Sequence, residues 1–78
     1  MMQLRVQVLT GRRFHVEVDP VYDTLDDIRE KIRSREGIHP DQQMLFFNGV
    51  IMKSGLTVPE MRLQDGSTLF LTLRNRGG

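Results

Sequence analysis

The residues best suited to chemistry lie at the end of the chain, where Leu73-Arg74-Asn75-Arg76 runs into Gly77-Gly78. Acyl transfer from a peptide carboxyl needs a carbonyl that other active sites can reach. Two residues without Cβ let the backbone lie extended in a narrow channel and leave the carbonyl open to attack from either side. Chain ends are mobile unless tied down, which helps delivery. Arg74 and Arg76, on the approach, are suited to pair with carboxylates of an enzyme that handles the tail. Taken alone the glycine pair is a weak signal, since a frayed, solvated terminus reads the same way.

Little else in the chain offers chemistry. There is no cysteine, which removes disulfides, a thiolate nucleophile and cysteine metal sites together. His15 points outward by strand alternation and His39 precedes Pro40 in a turn, each without an evident acidic or nucleophilic partner. Two separated histidines make a poor metal pair. The expectation is a protein that is acted upon: no enzyme, no cofactor and no metal.

The 78 residues suffice for one domain. Hydrophobic residues at 38% and charged residues at 27% are ordinary for a globular protein. No run is long enough to span a bilayer, and Met1-Met2-Gln3-Leu4-Arg5 lacks the apolar segment of a signal peptide. With the missing cysteine, this leads us to expect an intracellular protein. Eleven basic against ten acidic residues leave a net charge of +1, so neither nucleic acid nor a membrane is expected as a partner. The basic run Arg29, Lys31, Arg33 and Arg35 is read as complementing a helix dipole on a solvated face.

The elements that must position the tail follow from periodicity. Met2, Leu4, Val6 and Val8 alternate with polar residues, as do Phe14, Val16 and Val18, and Thr10-Gly11-Arg12 between them predicts a hairpin. Thr24 and Asp27 resemble a capping box, Leu25, Ile28 and Ile32 recur at helical spacing, and Gly37 is placed to end that helix. A turn from Pro40 leads into a short apolar strand, Met44 to Phe47, and Asn48-Gly49 returns the chain through Val50-Ile51-Met52. Thr57-Val58-Pro59-Glu60 predicts a second helix of a turn or two. Ser67 to Arg74 is a last strand with Leu69, Leu71 and Leu73 on one face. One amphipathic helix must therefore cover one face of one mixed sheet. Alternation puts Leu45 and Phe47 inward and leaves Met44, Phe46, Phe70 and Thr72 on the open face, where Leu9 can join them. Large apolar residues exposed together usually mark a partner surface.

At this point the chain is seen to resemble the ubiquitin family, from Met2 to Gly78. The matching blocks are Leu9-Thr10-Gly11, Glu36-Gly37-Ile38, Pro40-Asp41-Gln42-Gln43, Ser67-Thr68-Leu69 and Leu73-Arg74-x-Arg76-Gly77-Gly78. The resemblance implies an α+β, β-grasp fold, a mixed five-strand sheet packed on one α-helix, over residues 1–73, with residues 74–78 as a flexible conjugation tail. It implies a ubiquitin-like protein modifier, activated at Gly78 and attached by an isopeptide bond to lysines of target proteins. The implied partners are activating, conjugating and ligase enzymes, a deconjugating protease and ubiquitin-like-binding domains, met by a monomer in cytoplasm and nucleus. Leu9, Phe46, Phe70 and Thr72 match the family's hydrophobic recognition patch, although only Leu9 is identical there.

The departures are also informative. Val50 and Asp65 stand at the two lysine positions most familiar from ubiquitin chains, and Gln7, Arg12, Arg29 and Arg35 stand at others. Lys31 is at a matching position and Lys53 is new, so these are the possible acceptor lysines; arginine cannot serve as the amine. Attachment as a single unit is expected. Arg5 replaces an exposed phenylalanine, and one extra residue lies between Pro20 and Asp23. The alternatives are a non-conjugated ubiquitin-like binding domain and, further off, a sulfur carrier whose terminal glycine becomes a thiocarboxylate.

Overall fold

The computed structural model describes residues 1–74. Strands β1 (Met2–Val8) and β2 (Arg13–Val18) form the expected hairpin, with Met2 opposite Val18 and Val6 opposite Phe14. Gly11 takes φ +101 in the turn, where its N–H donates to the Val8 carbonyl at 2.8 Å. Strand β3 (Gln43–Phe47) turns through Asn48 (φ 52) and Gly49 (φ 77) into β4 (Val50–Ile51). Left-handed conformations at both central residues match the twist of a two-residue hairpin, which is why Asn-Gly occupies it. The last strand, β5 (Thr68–Leu73), enters the centre of the sheet, parallel to β1 and antiparallel to β3, giving the order β2-β1-β5-β3-β4.

Helix α1 (Leu25–Glu36) crosses one face of this mixed five-strand sheet, the β-grasp arrangement expected. Thr24 Oγ1 accepts the Asp27 N–H at 3.4 Å while Asp27 Oδ2 accepts the Thr24 N–H at 2.8 Å, so both halves of the capping box form. Gly37, at φ 74, donates its N–H to the Arg33 carbonyl and closes the helix. Leu25, Ile28 and Ile32 are fully buried against Leu4, Val6, Leu45, Leu69 and Leu71. Three of the four basic residues of the helical run are engaged locally. Lys31 Nζ lies 3.3 Å from Asp23 Oδ2, Arg33 lies 3.8 Å from Glu30, and the Arg35 guanidinium sits over the Phe14 ring.

Several local expectations need correction. The segment after Thr57 is a hydrogen-bonded turn and not a second helix. Its capping box does form, with Glu60 Oε1 accepting the Thr57 N–H at 2.9 Å. Arg62 then adopts φ 60, which breaks the right-handed run after a single turn. Pro40–Gln42 is a short 3₁₀ turn. There the His39 ring accepts the Asp41 N–H at 3.2 Å and lies 3.7 Å from the Asp41 carboxylate, so His39 does have an acidic neighbour. Leu73 shares a face with Leu71 yet is 56% exposed, because the residue opposite it is Gln43 and no longer an apolar core side chain. Phe47 packs against the core but is only partly buried.

Four carboxylates tie turns and caps together, and each is held below its ordinary pKa. Asp27 accepts the Thr24 backbone N–H and hydroxyl, Glu60 accepts the same pair from Thr57, and Asp19 accepts the N–H groups of Tyr22 and Val21. Glu36 is lowered chiefly by hydrogen bonds from Arg12, whose Nη2 donates to Glu36 Oε2 at 3.1 Å. The unfolded chain therefore binds more protons than the folded one between the depressed and the ordinary carboxylate values. This stability is present above the ordinary carboxylate range and is lost as pH falls through the depressed values. The melting temperature is expected to fall steadily below pH of about 4. Asp27→Asn should flatten that fall, and an unchanged slope in calorimetric scans would count against the assignment.

Candidate functional site

Sheet register, more than any single residue, builds the outward surface. Phe70 stands opposite Phe46, Phe46 opposite Ile51, and Gln7 pairs with Phe70 from the other side. Directly paired residues project to the same face, so Phe70, Phe46 and Ile51 form a continuous apolar row away from the helix. Phe70 is 41% exposed and Ile51 43%. Phe46, expected outside, is half-buried between these two neighbours. One step along β5, Thr72 stands opposite Met44, both half-buried. Leu9, just past β1, is 74% exposed, and its N–H donates to the Leu71 carbonyl at 3.3 Å, which ties it to the strand carrying Phe70 and Thr72.

Ile51 was not singled out by sequence. Its signal was present, since it lies two residues past the glycine of the Asn-Gly turn, but its partner in the row depends on the hairpin register. Beside it, Val50, Ile51, Leu56 and Met61 line an apolar hollow of about 250 Å³ with Lys53 at its rim.

The root of the tail is anchored next to this face. Arg74 donates its N–H to the Gln42 carbonyl at 2.6 Å, just past the pairing of Leu73 with Gln43. Gln43 is 1% exposed, and its amide nitrogen donates to the carbonyls of Arg29 and Ile38 at 3.0 Å each. A buried polar side chain thus ties the start of β3, which pairs with the end of β5, to the helix and to the loop that follows it. Arg76, Gly77 and Gly78 lie outside the described residues.

A ubiquitin-family sequence profile matches residues 4–76 of the chain. The chain belongs to the ubiquitin family. This ubiquitin-like chain is 38% identical over 77 residues to the ubiquitin-like protein NEDD8 of Dictyostelium discoideum, covering 99% of both chains. It is 39% identical, with the same coverage, to the NEDD8-like protein RUB1 of Saccharomyces cerevisiae. It is 36% identical to ubiquitin-like protein 1 of Schizosaccharomyces pombe, covering 99% of this chain and 97% of that one. As a class the chain is a ubiquitin-like modifier.

The two lysines of this ubiquitin-like protein differ in availability. Lys31 is ion-paired to Asp23 with its side chain 36% exposed, whereas Lys53 is exposed and has no ion pair among the described residues.

Proposed function

We propose that this ubiquitin-like protein is conjugated through the carboxyl of Gly78, whether that residue is the last one encoded or is released by cleavage. The carboxylate attacks the α-phosphate of ATP, giving an acyl adenylate and releasing pyrophosphate. A cysteine thiolate of an activating enzyme displaces AMP to form a thioester. A lysine amine of the target then attacks that carbonyl, loses a proton and expels the thiolate, leaving an isopeptide bond. The protein is the group transferred, and the partners are the enzymes of that relay, a deconjugating protease and domains that read the apolar face, in cytoplasm and nucleus.

The observation that carries this reading is full-length membership of the ubiquitin family together with a chain in which β5 leads directly into Arg74-x-Arg76-Gly77-Gly78. Incubating the protein with ATP and cell lysate, beside a version lacking Gly78, tests it. Covalent adducts that require both ATP and Gly78 are expected. Adducts indifferent to Gly78, or none at all, would leave the non-conjugated binding domain.

Two further outcomes follow from the geometry. Residual self-attachment is expected to fall mainly on Lys53, so Lys53→Arg should remove most of any ladder and Lys31→Arg little. Gel analysis of a reconstituted reaction checks this, and a ladder lost only with Lys31→Arg would contradict it. Phe70→Ala is expected to weaken a partner that reads the apolar row by about 1–4 kcal/mol, measured by calorimetric titration. Phe46→Ala should do the same but lose some stability as well, since that ring is half-buried.

A further inference from the structure

Across β1 and β2 the outer face of the sheet gathers hydrogen-bond donors. Arg5 stands directly opposite His15 on one side and Thr68 on the other, and two positions along Arg13 stands opposite Gln7. Paired residues share a face, as do residues two apart on a strand, so all five project to the same side. Together they border one cleft of about 400 Å³. Arg5, Arg13 and His15 are exposed, while Gln7 and Thr68 are half-buried. Arg13 is the diagonal neighbour of Arg5, which puts the two Cβ atoms about 7–8 Å apart, within reach of one small ion for side chains this long. Among the described residues Arg5, Arg13 and His15 have no ion pair and no side-chain hydrogen bond. Arg12, Lys31 and Arg33, by contrast, pair with Glu36, Asp23 and Glu30. Glu17 is the other diagonal neighbour of Arg5, opposite Gln3, and makes no ion pair with it.

We infer that this cleft binds a phosphate monoester carried on a serine or threonine of a partner protein, clamped by Arg5 and Arg13 with His15 and Thr68 completing the donor set. Charge and oxygen count select the ligand. A phosphate monoester brings close to two negative charges and three free acceptor oxygens, enough to engage both guanidiniums at once. A carboxylate has two oxygens and is taken up by a single guanidinium. Two arginines held as diagonal neighbours repel each other in the free protein, and a dianion between them turns that repulsion into attraction. The cations are exposed, so the ion is held from one side only and its ester oxygen points outward, where a polypeptide can continue. The surroundings argue against a larger polyanion. Beyond Gln7 lies Phe70, and beyond Arg5 lies the Gln3–Glu17 pair, so the basic surface is one ion wide. Nucleic acid and an anionic bilayer both draw on longer runs of cations, and the overall charge here is only +1. The inference involves neither the tail nor the apolar row and does not depend on conjugation.

The test titrates the full chain with a short blocked peptide of glycine and alanine around one phosphoserine. Twins carry serine or glutamate at that place. Amide NMR shifts at low salt read both the site and the affinity. The phosphopeptide should bind at least about tenfold tighter than either twin, shift Arg5, Gln7, Arg13, His15 and Thr68, and weaken with added salt. Inorganic phosphate should displace it and move the same amides. Arg5→Gln and Arg13→Gln should each cost at least about tenfold in affinity. Arg33→Gln removes the same charge from the helix side and should change nothing, as should Phe70→Ala on the apolar row. All four positions are exposed, so thermal melts should show each variant folded. Equal binding of the glutamate twin, shifts confined to another face, or affinity untouched by both arginine substitutions would overturn the proposal. So would tighter binding of adenosine monophosphate, a single-stranded oligonucleotide or phosphatidylserine vesicles than of the phosphopeptide.

Discussion

Leu71→Ala is expected to lower the free energy of unfolding by about 2–5 kcal/mol, in a domain whose total stability is on the order of 4–12 kcal/mol. Leu71 is fully buried on the central strand, opposite Leu45 on one side and Val8 on the other, so its loss leaves a cavity between three strands and the helix. The sheet cannot collapse there without disturbing the β1–β5 pairing that gives the fold its parallel centre. Phe70→Ala, one residue earlier but on the open face, should cost far less stability. Denaturant unfolding of the two variants side by side measures the difference. Equal losses would mean that the assignment of inner and outer faces is wrong.

Gly78→Val is expected to reduce adduct formation at least about tenfold, with no change in unfolding. The substitution keeps the carboxyl but places a branched Cβ beside the carbonyl, where a thiolate and then an amine must approach. Among the described residues the buried core runs from Met2 to Leu71. Quantifying ATP-dependent adducts at matched protein concentration reads the effect. Undiminished conjugation of the valine variant would show that the terminal carbonyl is not the reacting centre.

Most elements were legible because their signals are local. Alternation marked β1, β2 and β5, the Thr24–Asp27 box with Leu25, Ile28 and Ile32 marked α1, and Asn48-Gly49 marked the β3–β4 hairpin. Sheet order was not legible from pattern, because the parallel pairing of β1 with β5 joins residues more than sixty positions apart, as Arg5 and Thr68 are. The expected second helix failed at Arg62, where a left-handed residue that no helix-start signal reports ends the turn.

For the candidate surface, alternation put Phe70 and Thr72 on the open face. It could not show that Phe46 is shielded by Phe70 and Ile51, nor that Ile51 completes the row, since both depend on register between strands. The Lys31–Asp23 pair and the Arg12–Glu36 clasp are likewise contacts between elements. Alternation could place Arg5, Arg13 and His15 outward one at a time. That they form an unpaired basic strip next to the phenylalanines follows only from the assembled sheet.

The central claim is most directly tested by following the glycines themselves. The protein is prepared with heavy nitrogen throughout, added to lysate with ATP, and the adducts are digested with trypsin, which cuts after Arg76. Mass spectrometry should then find heavy Gly77-Gly78 on the ε-amines of target lysines, distinct from any light remnant left by the lysate's own modifiers. A folded, heavy protein that persists in active lysate and leaves no heavy glycine pair on any lysine would contradict the account.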